Sequence, residues 1–279
     1  MVLMKKTISL ITSKTNLSDQ QAWWLLEFIT NKNRVMLMTS NYQLSTPEQE
    51  HLEKLINELS IDHKPLAYIL GFVPFLDLEL FVKPPTLIPR PETEDWVYQV
   101  IEMIKKSKVE NIKILDIGTG SGCIGLSLAQ AFPHAQIYAT DICLQALELA
   151  KDNAQKNNLT NVVFLESDLL NEIPTDLRFD LILSNPPYIN PTAKLEASVS
   201  KWEDHGALFA KNKGLSIIEQ ICEQAPKYLK KNNELEFQLV IEIDMTQGQI
   251  IKNLLENNIF KKVAIKKDQF DRDRTIWAR

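Results

Sequence analysis

Short, uninterrupted apolar runs alternate with amphipathic segments through the second half of the chain. The apolar runs predict five strands, at residues 112–117, 136–141, 162–166, 179–184 and 237–243. The segments between and after them predict four helices, at residues 122–131, 144–157, 215–229 and 247–257. Strands that are apolar throughout are typical of a parallel sheet covered by helices on both faces. The pattern therefore predicts an α/β fold with a doubly wound parallel sheet, closed at one edge by an antiparallel pair at 259–265 and 275–278.

The first 68 residues show helical spacing and no strand-like alternation. The segment Ser18-Asp19-Gln20-Gln21 has the form of a capping box, and Pro47 suits the first turn of a second helix. Trp23 and Trp24 could be interpreted as a ligand-binding pair. Their place in a helical apolar repeat instead favours the core of a small helical domain.

Between the helical N-terminal region and the α/β region, the sequence pattern is neither helical nor of the α/β type. Residues 72–82 contain an alternating stretch suited to a short hairpin, and prolines at 84, 85, 89 and 91 stiffen the segment that follows. We therefore predict a helical domain at 1–68, a hairpin and proline-rich linker at 69–92, and the α/β domain at 93–279.

Composition narrows the class of protein. With 279 residues, 44% hydrophobic and 24% charged, the chain is typical of a soluble globular protein. No apolar stretch approaches the roughly 18–20 residues of a membrane span, and no secretory signal is evident at the start, so we expect a cytoplasmic protein. Three cysteines and four histidines are scattered, which argues against a metal site. The net charge of −5 disfavours unaided binding to duplex DNA.

Four of the eight glycines lie within eight residues, directly after the first predicted strand of the sheet. They are Gly118, Gly120, Gly122 and Gly125, and they open the next predicted helix. Such a loop brings backbone N–H groups close to a ligand. The stretch from Gly120 to Gly125 matches the dinucleotide pattern G-x-G-x-x-G, but in nicotinamide-binding proteins the first glycine follows the strand directly, and that glycine is Gly118. Asp141 ends the next strand, where a carboxylate can accept from two ribose hydroxyls.

The tetrapeptide Asn185-Pro186-Pro187-Tyr188 follows the fourth predicted parallel strand. Open α/β sheets place their chemistry at the carboxyl ends of such strands. Two prolines remove two backbone donors and leave neighbouring carbonyls able to accept from a ligand. An Asn amide, a carbonyl and an aromatic ring in one rigid turn can hold a planar –NH2 group, although the turn could also simply cap the strand.

Read from Gly118, the loop has the form G-x-G-x-G and resembles the S-adenosylmethionine loop of Rossmann-like methyltransferases, with Asp116 ahead of it. Together with the segment 87–94 (Leu-Ile-Pro-Arg-Pro-Glu-Thr-Glu), the linker 65–71 and the turn 185–189, the chain resembles the HemK/PrmC-type family, the peptide chain release factor glutamine N5-methyltransferases. The resemblance covers nearly the whole chain. It implies a class I S-adenosylmethionine-dependent methyltransferase domain preceded by a helical substrate-binding domain.

The resemblance also implies roles for particular residues. The cofactor would be lined by Gly118, Thr119, Gly120, Ser121, Gly122, Asp141, Asp168, Leu169 and Asn185. The catalytic and substrate-binding turn would be Asn185, Pro186, Pro187 and Tyr188, with Arg90 and Glu92 also facing the substrate. The acceptor would be the glutamine of the Gly-Gly-Gln tip of a release factor, and the cofactor would leave as S-adenosylhomocysteine without help from a metal. No membrane partner is expected.

Three positions depart from the usual family pattern. Leu169 replaces a common aromatic residue near the adenine, Asp204 replaces the proline of a Glu-Pro pair, and Asp271 stands where glycine is frequent. None of them touches the predicted catalytic turn.

Two kinds of alternative remain at this point: an amino-methyltransferase with another substrate, either a nucleic-acid base or a ribosomal-protein glutamine, and a non-catalytic S-adenosylmethionine-binding module. The same turn occurs in adenine and cytosine amino-methyltransferases, and a sister family methylates a ribosomal-protein glutamine. That sister family typically lacks the run after Arg90, which favours release factors. A nucleic-acid enzyme would want a basic groove or a target-recognition domain, which an acidic chain with a short N-terminal domain does not supply. A non-catalytic S-adenosylmethionine-binding module would tolerate loss of Asn185, yet every residue that the chemistry requires is present.

Overall fold

The computed structural model describes residues 2–40, 42–107, 109, 111–231, 234–257 and 259–279. Seven residues inside the predicted domains lie outside the described residues: Met1, Asn41, Lys108, Glu110, Asn232, Asn233 and Asn258. The chain forms two compact units. The first comprises Met1–Phe72 with Leu195–Trp202, and the second comprises Val73–Lys194 with Glu203–Arg279.

The first unit is helical. Its helices are α1 (Val2–Lys14), α2 (Asp19–Thr30), α3 (Arg34–Thr39), α4 (Thr46–Ser60) and α5 (Leu66–Leu70). Ser18 and Gln21 form the predicted capping box, in which Gln21 N donates to Ser18 Oγ and Ser18 N donates to the Gln21 side chain. Trp23 is buried in the core of this unit, as predicted, whereas Trp24 is 39% exposed and the core interpretation is wrong for it. The two neighbours point to different faces because successive helical residues differ by about 100°.

The predicted hairpin is present as β1 (Phe72–Phe75) and β2 (Leu78–Phe81). It is followed by α6 (Pro91–Lys106), a helix that the sequence analysis missed. The proline-rich run was interpreted as linker, but Pro91 occupies the first turn of α6, where a missing N–H costs nothing. One face of α6 is buried against the second unit's core, through Trp96, Val97 and Val100 among others.

The second unit has the predicted α/β order. Its remaining elements are β3 (Lys113–Ile117), α7 (Cys123–Ala131), β4 (Gln136–Asp141), α8 (Leu144–Lys156), β5 (Val162–Glu166), β6 (Leu181–Ser184), α10 (His205–Leu208), α11 (Lys211–Gly214), α12 (Ser216–Gln224), β7 (Leu239–Glu242), α13 (Gly248–Asn257), β8 (Val263–Lys267) and β9 (Asp273–Ala278). The short α9 (Ala197–Ser200) belongs to the first unit. The predicted helix 215–229 divides into α12 and a 3-10 turn, Ala225–Lys227, where Pro226 cannot donate to a helical hydrogen bond.

The seven-stranded sheet has the order β5-β4-β3-β6-β7-β9-β8. Strands β3 to β7 are parallel, and β9 pairs antiparallel with both β7 and β8, as the apolar pattern predicts. Buried clusters lie on both faces of the sheet, which is why its strands are apolar throughout. None of the helices within the described residues is long and apolar enough to cross a membrane.

Candidate active site

The glycine loop and the Asn185–Tyr188 turn both begin directly after residues that are paired in the sheet. Strand β3 lies between β4 and β6, and Ile117 pairs with Ser184 in the register of β3 and β6. The Ser184 hydroxyl donates to the Ile117 carbonyl at 2.8 Å. The strands that follow β3 along the chain, β4 and β5, lie on one side of this pair, and β7 lies on the other side. The crevice at the carboxyl ends of β3 and β6 is therefore the topological switch point, where such sheets bind ligands.

The glycine loop follows β3. Gly118 and Gly120 have φ of 69° and 57°, and an added Cβ at either would meet nothing within 4 Å. These two glycines therefore serve the backbone conformation and leave open space beside the loop. Gly122 differs, because a Cβ there would lie 2.7 Å from Leu126 Cδ1, so it allows close packing against α7. Thr119 N donates to the Thr140 carbonyl at 2.8 Å and ties the loop to β4.

Asp141, at the end of β4, holds this loop from the other side. Its Oδ2 accepts from Gly120 N and its Oδ1 accepts from Cys143 N, both at 2.9 Å. Each carboxylate oxygen can accept at least one further hydrogen bond, so two ribose hydroxyls can still be bound. Burial raises the pKa of Asp141 above its ordinary value, although the backbone donors oppose that shift.

Asp116 lies beneath the same loop and is fully buried. Its Oδ2 accepts from the Thr119 hydroxyl at 2.6 Å and from Gly125 N at 3.0 Å. Its Oδ1 accepts from none of the residues that the structure describes. Burial, together with the nearby charge of Asp141, raises the pKa of Asp116 to about 6, and the hydrogen bonds from Thr119 and Gly125 oppose that shift.

The loop after β5 reaches the same edge of the sheet. Ser167 N donates to the Asp141 carbonyl at 3.0 Å, and Asp168 and Leu169 follow directly. Leu169 has φ of 55°, held by its carbonyl accepting from the Ser167 hydroxyl at 2.9 Å. The structure thus brings Asp168 and Leu169 to the strand end beside Asp141, while their predicted contacts with a cofactor stay predictions.

The Asn185–Tyr188 turn follows β6 and is clamped through its backbone. Gln247 Nε2 donates to the Tyr188 carbonyl at 3.0 Å. Gly214 passes so close that a Cβ there would lie 2.0 Å from the Tyr188 carbonyl oxygen. No described residue donates to the Pro186 carbonyl, which remains able to accept from a ligand.

A buried carboxylate, Glu242, lies beside this turn. Ser184 pairs with Ile241, so Asn185 and Glu242 are the next residues on neighbouring parallel strands. Glu242 Oε1 accepts from the Tyr188 hydroxyl at 2.9 Å. Its Oε2 accepts from the Thr93 hydroxyl and from Trp96 Nε1, both at 2.7 Å. Burial raises the pKa of Glu242, and these three donors oppose the shift.

Asn185 joins the same network. Its Nδ2 donates to Thr93 Oγ1 at 3.3 Å. The phenol of Tyr188 is largely buried, and that burial together with the Glu242 charge raises its pKa. Because the Tyr188 hydroxyl is bound to Glu242, it is not placed to act as a general base.

Arg90 and Glu92, the other two predicted substrate contacts, are placed at the start of α6. Arg90 Nη2 donates to both carboxylate oxygens of Glu203, at 2.7 and 2.6 Å. Burial raises the pKa of Glu203, which Arg90 opposes. Glu92 lies 3.6 Å from Arg272 Nη2, measured from Oε1. Both side chains are thus held by oppositely charged partners.

The departures from the family pattern have local structural explanations. Asp204 N donates to the Pro85 carbonyl at 2.7 Å, and its side chain accepts from Gly206 N at the start of α10. A proline at 204 could not make the first of these bonds. Asp271 has φ of 61°, a conformation that explains why glycine suits this position.

Sequence reasoning missed Thr93, Trp96, Glu242 and Gln247. Glu242 had a visible signal, since a carboxylate inside the apolar run 237–243 must find buried donors. Thr93 and Trp96 lie on α6, which was not predicted, so their contacts with Glu242 had no sequence signal. No group of three or more His, Cys, Asp or Glu side chains able to hold a metal ion occurs in the part of the chain that the structure describes.

Comparison with known proteins gives the same picture. Residues 3–71 match the PrmC N-terminal domain family, and residues 99–201 match the methyltransferase small domain family. The release factor glutamine methyltransferase of Flavobacterium psychrophilum is 39% identical over 257 residues, which cover 90% of this chain and 88% of the relative. That of Lactococcus lactis is 42% identical over 229 residues, covering 80% and 81%.

Solved structures share the fold. The hMettl16 catalytic domain in complex with an RNA hairpin of the MAT2A 3'UTR has a TM-score of 0.58 at 17% identity and covers 91% of each chain. The Thermus thermophilus 16S rRNA N2 G1207 methyltransferase, solved with AdoMet and guanosine, has a TM-score of 0.54 at 17% identity and covers 75% of this chain and 49% of its own. Identity this low shows the fold alone. The two curated relatives, similar over most of both chains, decide the family: this chain belongs to the release factor glutamine methyltransferases, which use S-adenosylmethionine.

Proposed function

We propose that this protein transfers a methyl group from S-adenosylmethionine to the side-chain amide nitrogen of the glutamine in the Gly-Gly-Gln motif of peptide chain release factors. The observation that carries the proposal is the pairing of two loops. The glycine loop and the Asn185–Tyr188 turn leave the sheet from Ile117 and Ser184, which are paired neighbours. A methyl donor and an amide acceptor held by these loops would meet at one strand end.

The residues after β3, β4 and β5 fit the cofactor. Gly118 and Gly120 leave open space beside the loop, and Asp141 retains the capacity to accept from two ribose hydroxyls. The buried, unpartnered Oδ1 of Asp116 favours a positively charged group nearby. When bound, the cofactor supplies a methyl group on a positively charged sulfur. The proposed cofactor contacts are completed by Thr119, Ser121, Gly122, Asp168, Leu169 and Asn185.

The Asn185–Tyr188 turn can make the glutamine amide nitrogen a better methyl acceptor. An amide nitrogen is a poor nucleophile because its lone pair is delocalised, as the roughly 18–20 kcal/mol barrier to rotation of a peptide bond indicates. Asn185 Oδ1 and the Pro186 carbonyl can accept both N–H bonds of the glutamine –NH2 and favour a more tetrahedral nitrogen as charge develops. Pro187 and Tyr188 keep this turn rigid, and the proton can leave after methyl transfer, so no strong base is required.

The helical unit and the start of α6 are proposed to bind the release factor. Exposed large apolar side chains of the helical unit are Leu10, Trp24, Phe28, Val35, Met36 and Ile61. Where such side chains form a contiguous patch, they suit a surface that binds proteins. Arg90 and Glu92 are the proposed polar contacts in the second unit. We propose a cytoplasmic enzyme that needs no metal and releases S-adenosylhomocysteine.

Tritium transfer from labelled S-adenosylmethionine to purified release factor tests this function. A release factor with Gln→Ala at its Gly-Gly-Gln tip is the matched control. We expect label on the wild-type factor and none on the variant. Equal label on both would place the acceptor elsewhere, and label only on a ribosomal protein or on DNA would keep the cofactor but overturn the substrate.

A further inference from the structure

The orientation of the Asn185 side chain is decided by a partner outside its own turn. An Asn amide can present either its oxygen or its nitrogen to a ligand, and the two ends differ only by a rotation of about 180°. Acceptance from a glutamine –NH2 requires the oxygen end. In the structure Asn185 Nδ2 donates to Thr93 Oγ1 at 3.3 Å, and because the amide is planar, Oδ1 points away from Thr93.

Thr93 can only accept from Asn185, since its single proton is committed elsewhere. The Thr93 hydroxyl donates to Glu242 Oε2 at 2.7 Å. A hydroxyl has one proton and two lone pairs, so once that proton is donated the oxygen can act only as an acceptor toward a second group. The rotated form of Asn185, with Oδ1 facing Thr93, would place two acceptors against each other.

In its carboxylate form, Glu242 can in turn only accept from Thr93. Trp96 Nε1 donates to the same Oε2 at 2.7 Å, and an indole N–H can never accept. The Tyr188 hydroxyl donates to Oε1 at 2.9 Å. Thr93, Trp96 and Glu242 are all buried, with 1%, 2% and 1% exposure, so water does not compete for these hydrogen bonds.

We propose that Thr93 is a positioning residue, which acts with Glu242 to hold the Asn185 amide with its oxygen toward the methyl acceptor. The inference rests on the proposed function, because it assigns Asn185 Oδ1 to the glutamine –NH2. This role explains why Thr93 on α6 contacts Asn185, which lies 92 positions further along the chain. A misplacement of about 1 Å in a catalytic group can lower the rate by about 100-fold.

A graded series at position 93 tests the proposal. Ser keeps a hydroxyl that can donate and accept, Cys replaces that hydroxyl with a thiol that is a weak donor and acceptor, and Val keeps the shape of Thr but removes both functions. We expect kcat in release factor methylation to fall by less than about 3-fold for Thr93→Ser, by about 10-fold for Thr93→Cys and by about 100-fold for Thr93→Val. The affinity for S-adenosylmethionine, measured by calorimetry on the full chain, should stay within about 2-fold.

Controls separate positioning from mere loss of stability. Ser127→Ala deletes another buried hydroxyl of the same unit, which donates within its own helix to the Cys123 carbonyl at 2.7 Å. We expect it to lower Tm without changing kcat. Equal kcat for Ser, Cys and Val at position 93 overturns the positioning role, and so does a kcat loss that merely follows Tm across all four variants. If Thr93→Val does not fold, the difference between Ser and Cys decides.

The same assay distinguishes the two proposals. Wild-type enzyme that does not label the Gly-Gly-Gln glutamine overturns the proposed function. Wild-type labelling together with an unchanged Thr93→Val variant overturns the positioning role alone.

Discussion

Asp116 on β3 and Glu242 on β7 are both buried carboxylates near the carboxyl ends of parallel strands, on either side of β6, yet their hydrogen bonds are satisfied in opposite ways. Glu242 uses both oxygens and accepts from three protein donors. Asp116 accepts from two protein donors on one oxygen, and its other oxygen accepts from none of the described residues. A buried carboxylate usually has its hydrogen bonds supplied by the protein, so the exception needs an explanation.

The difference indicates two kinds of use. Glu242 is built to organise protein groups, namely the helix α6 and the Asn185–Tyr188 turn. Asp116 leaves an oxygen with unused acceptor capacity near the glycine loop, and we assign that oxygen to the proposed cofactor site. The hydrogen bonding of Asp141 is intermediate. Each of its oxygens accepts from one backbone N–H and retains capacity for a ligand, so Asp141 combines both uses.

The largest effect is expected at the residue that the Glu242 network supports. Asn185→Ala removes an acceptor for the glutamine –NH2, and we expect turnover to fall at least about 10³-fold. Cofactor affinity, measured by calorimetry, should stay within a few-fold because the glycine loop and Asp141 are unchanged. Turnover near that of the wild type would remove Asn185 from the catalytic role.

Glu242→Met should be the most destabilising single change of the three carboxylates. It leaves the donors of Thr93, Trp96 and Tyr188 buried without an acceptor, each worth about 1–3 kcal/mol. Loss of a buried charge offsets part of this, so we expect a net loss of about 3 kcal/mol in urea unfolding. Glu242→Gln should lose less, since its carbonyl still accepts from Thr93 and Trp96. Equal stability of both variants and the wild type would show that the donors find other partners.

Asp141→Ala should weaken cofactor binding rather than stability. It removes the proposed acceptors for two ribose hydroxyls and the support of Gly120 N. Hydrogen bonds to a charged group contribute about 1.5–3 kcal/mol, so we expect at least about 10-fold weaker binding of S-adenosylmethionine by calorimetry. Unchanged affinity would place the ribose contact elsewhere.

Asp116→Asn should have a small effect of opposite sign to that at Glu242. Because the pKa of Asp116 is raised to about 6 in the folded state, from 3.8, its charge destabilises the fold progressively as pH rises from about 4 to 6, and fully above that range. The amide oxygen can still accept from Thr119 and Gly125. Without cofactor we expect Tm at pH 8 to rise by about 2–4 °C, for a gain of about 1 kcal/mol, and no gain near pH 4.

Because we propose that the Asp116 charge favours the positively charged cofactor, the same Asp116→Asn variant should bind S-adenosylmethionine less tightly. A variant that is less stable than the wild type at pH 8, with unchanged cofactor affinity, would contradict the difference drawn between the two carboxylates.

Local patterns predicted much of the second unit. Strands β4 and β5 lie at the predicted residues, and the antiparallel β8–β9 edge was recognised from its apolar runs. The helix α6 was missed because Pro89 and Pro91 were taken as signs of an extended linker, whereas Pro91 at a helix start is compatible with either structure. Trp24 was assigned to the core because spacing alone does not show how wide the buried face of a helix is.

The sequence by itself determined the sheet, the glycine loop, the Asn185–Tyr188 turn and the family, because each depends on residues that are contiguous or regularly spaced. Only the tertiary structure decided that Thr93 and Trp96 on α6 meet Glu242 on β7 and that Thr93 orients Asn185. These contacts join residues up to 149 positions apart. Hydrogen bonds between such distant residues depend on strand register and helix placement, and neither is encoded in a local pattern of apolar and polar positions.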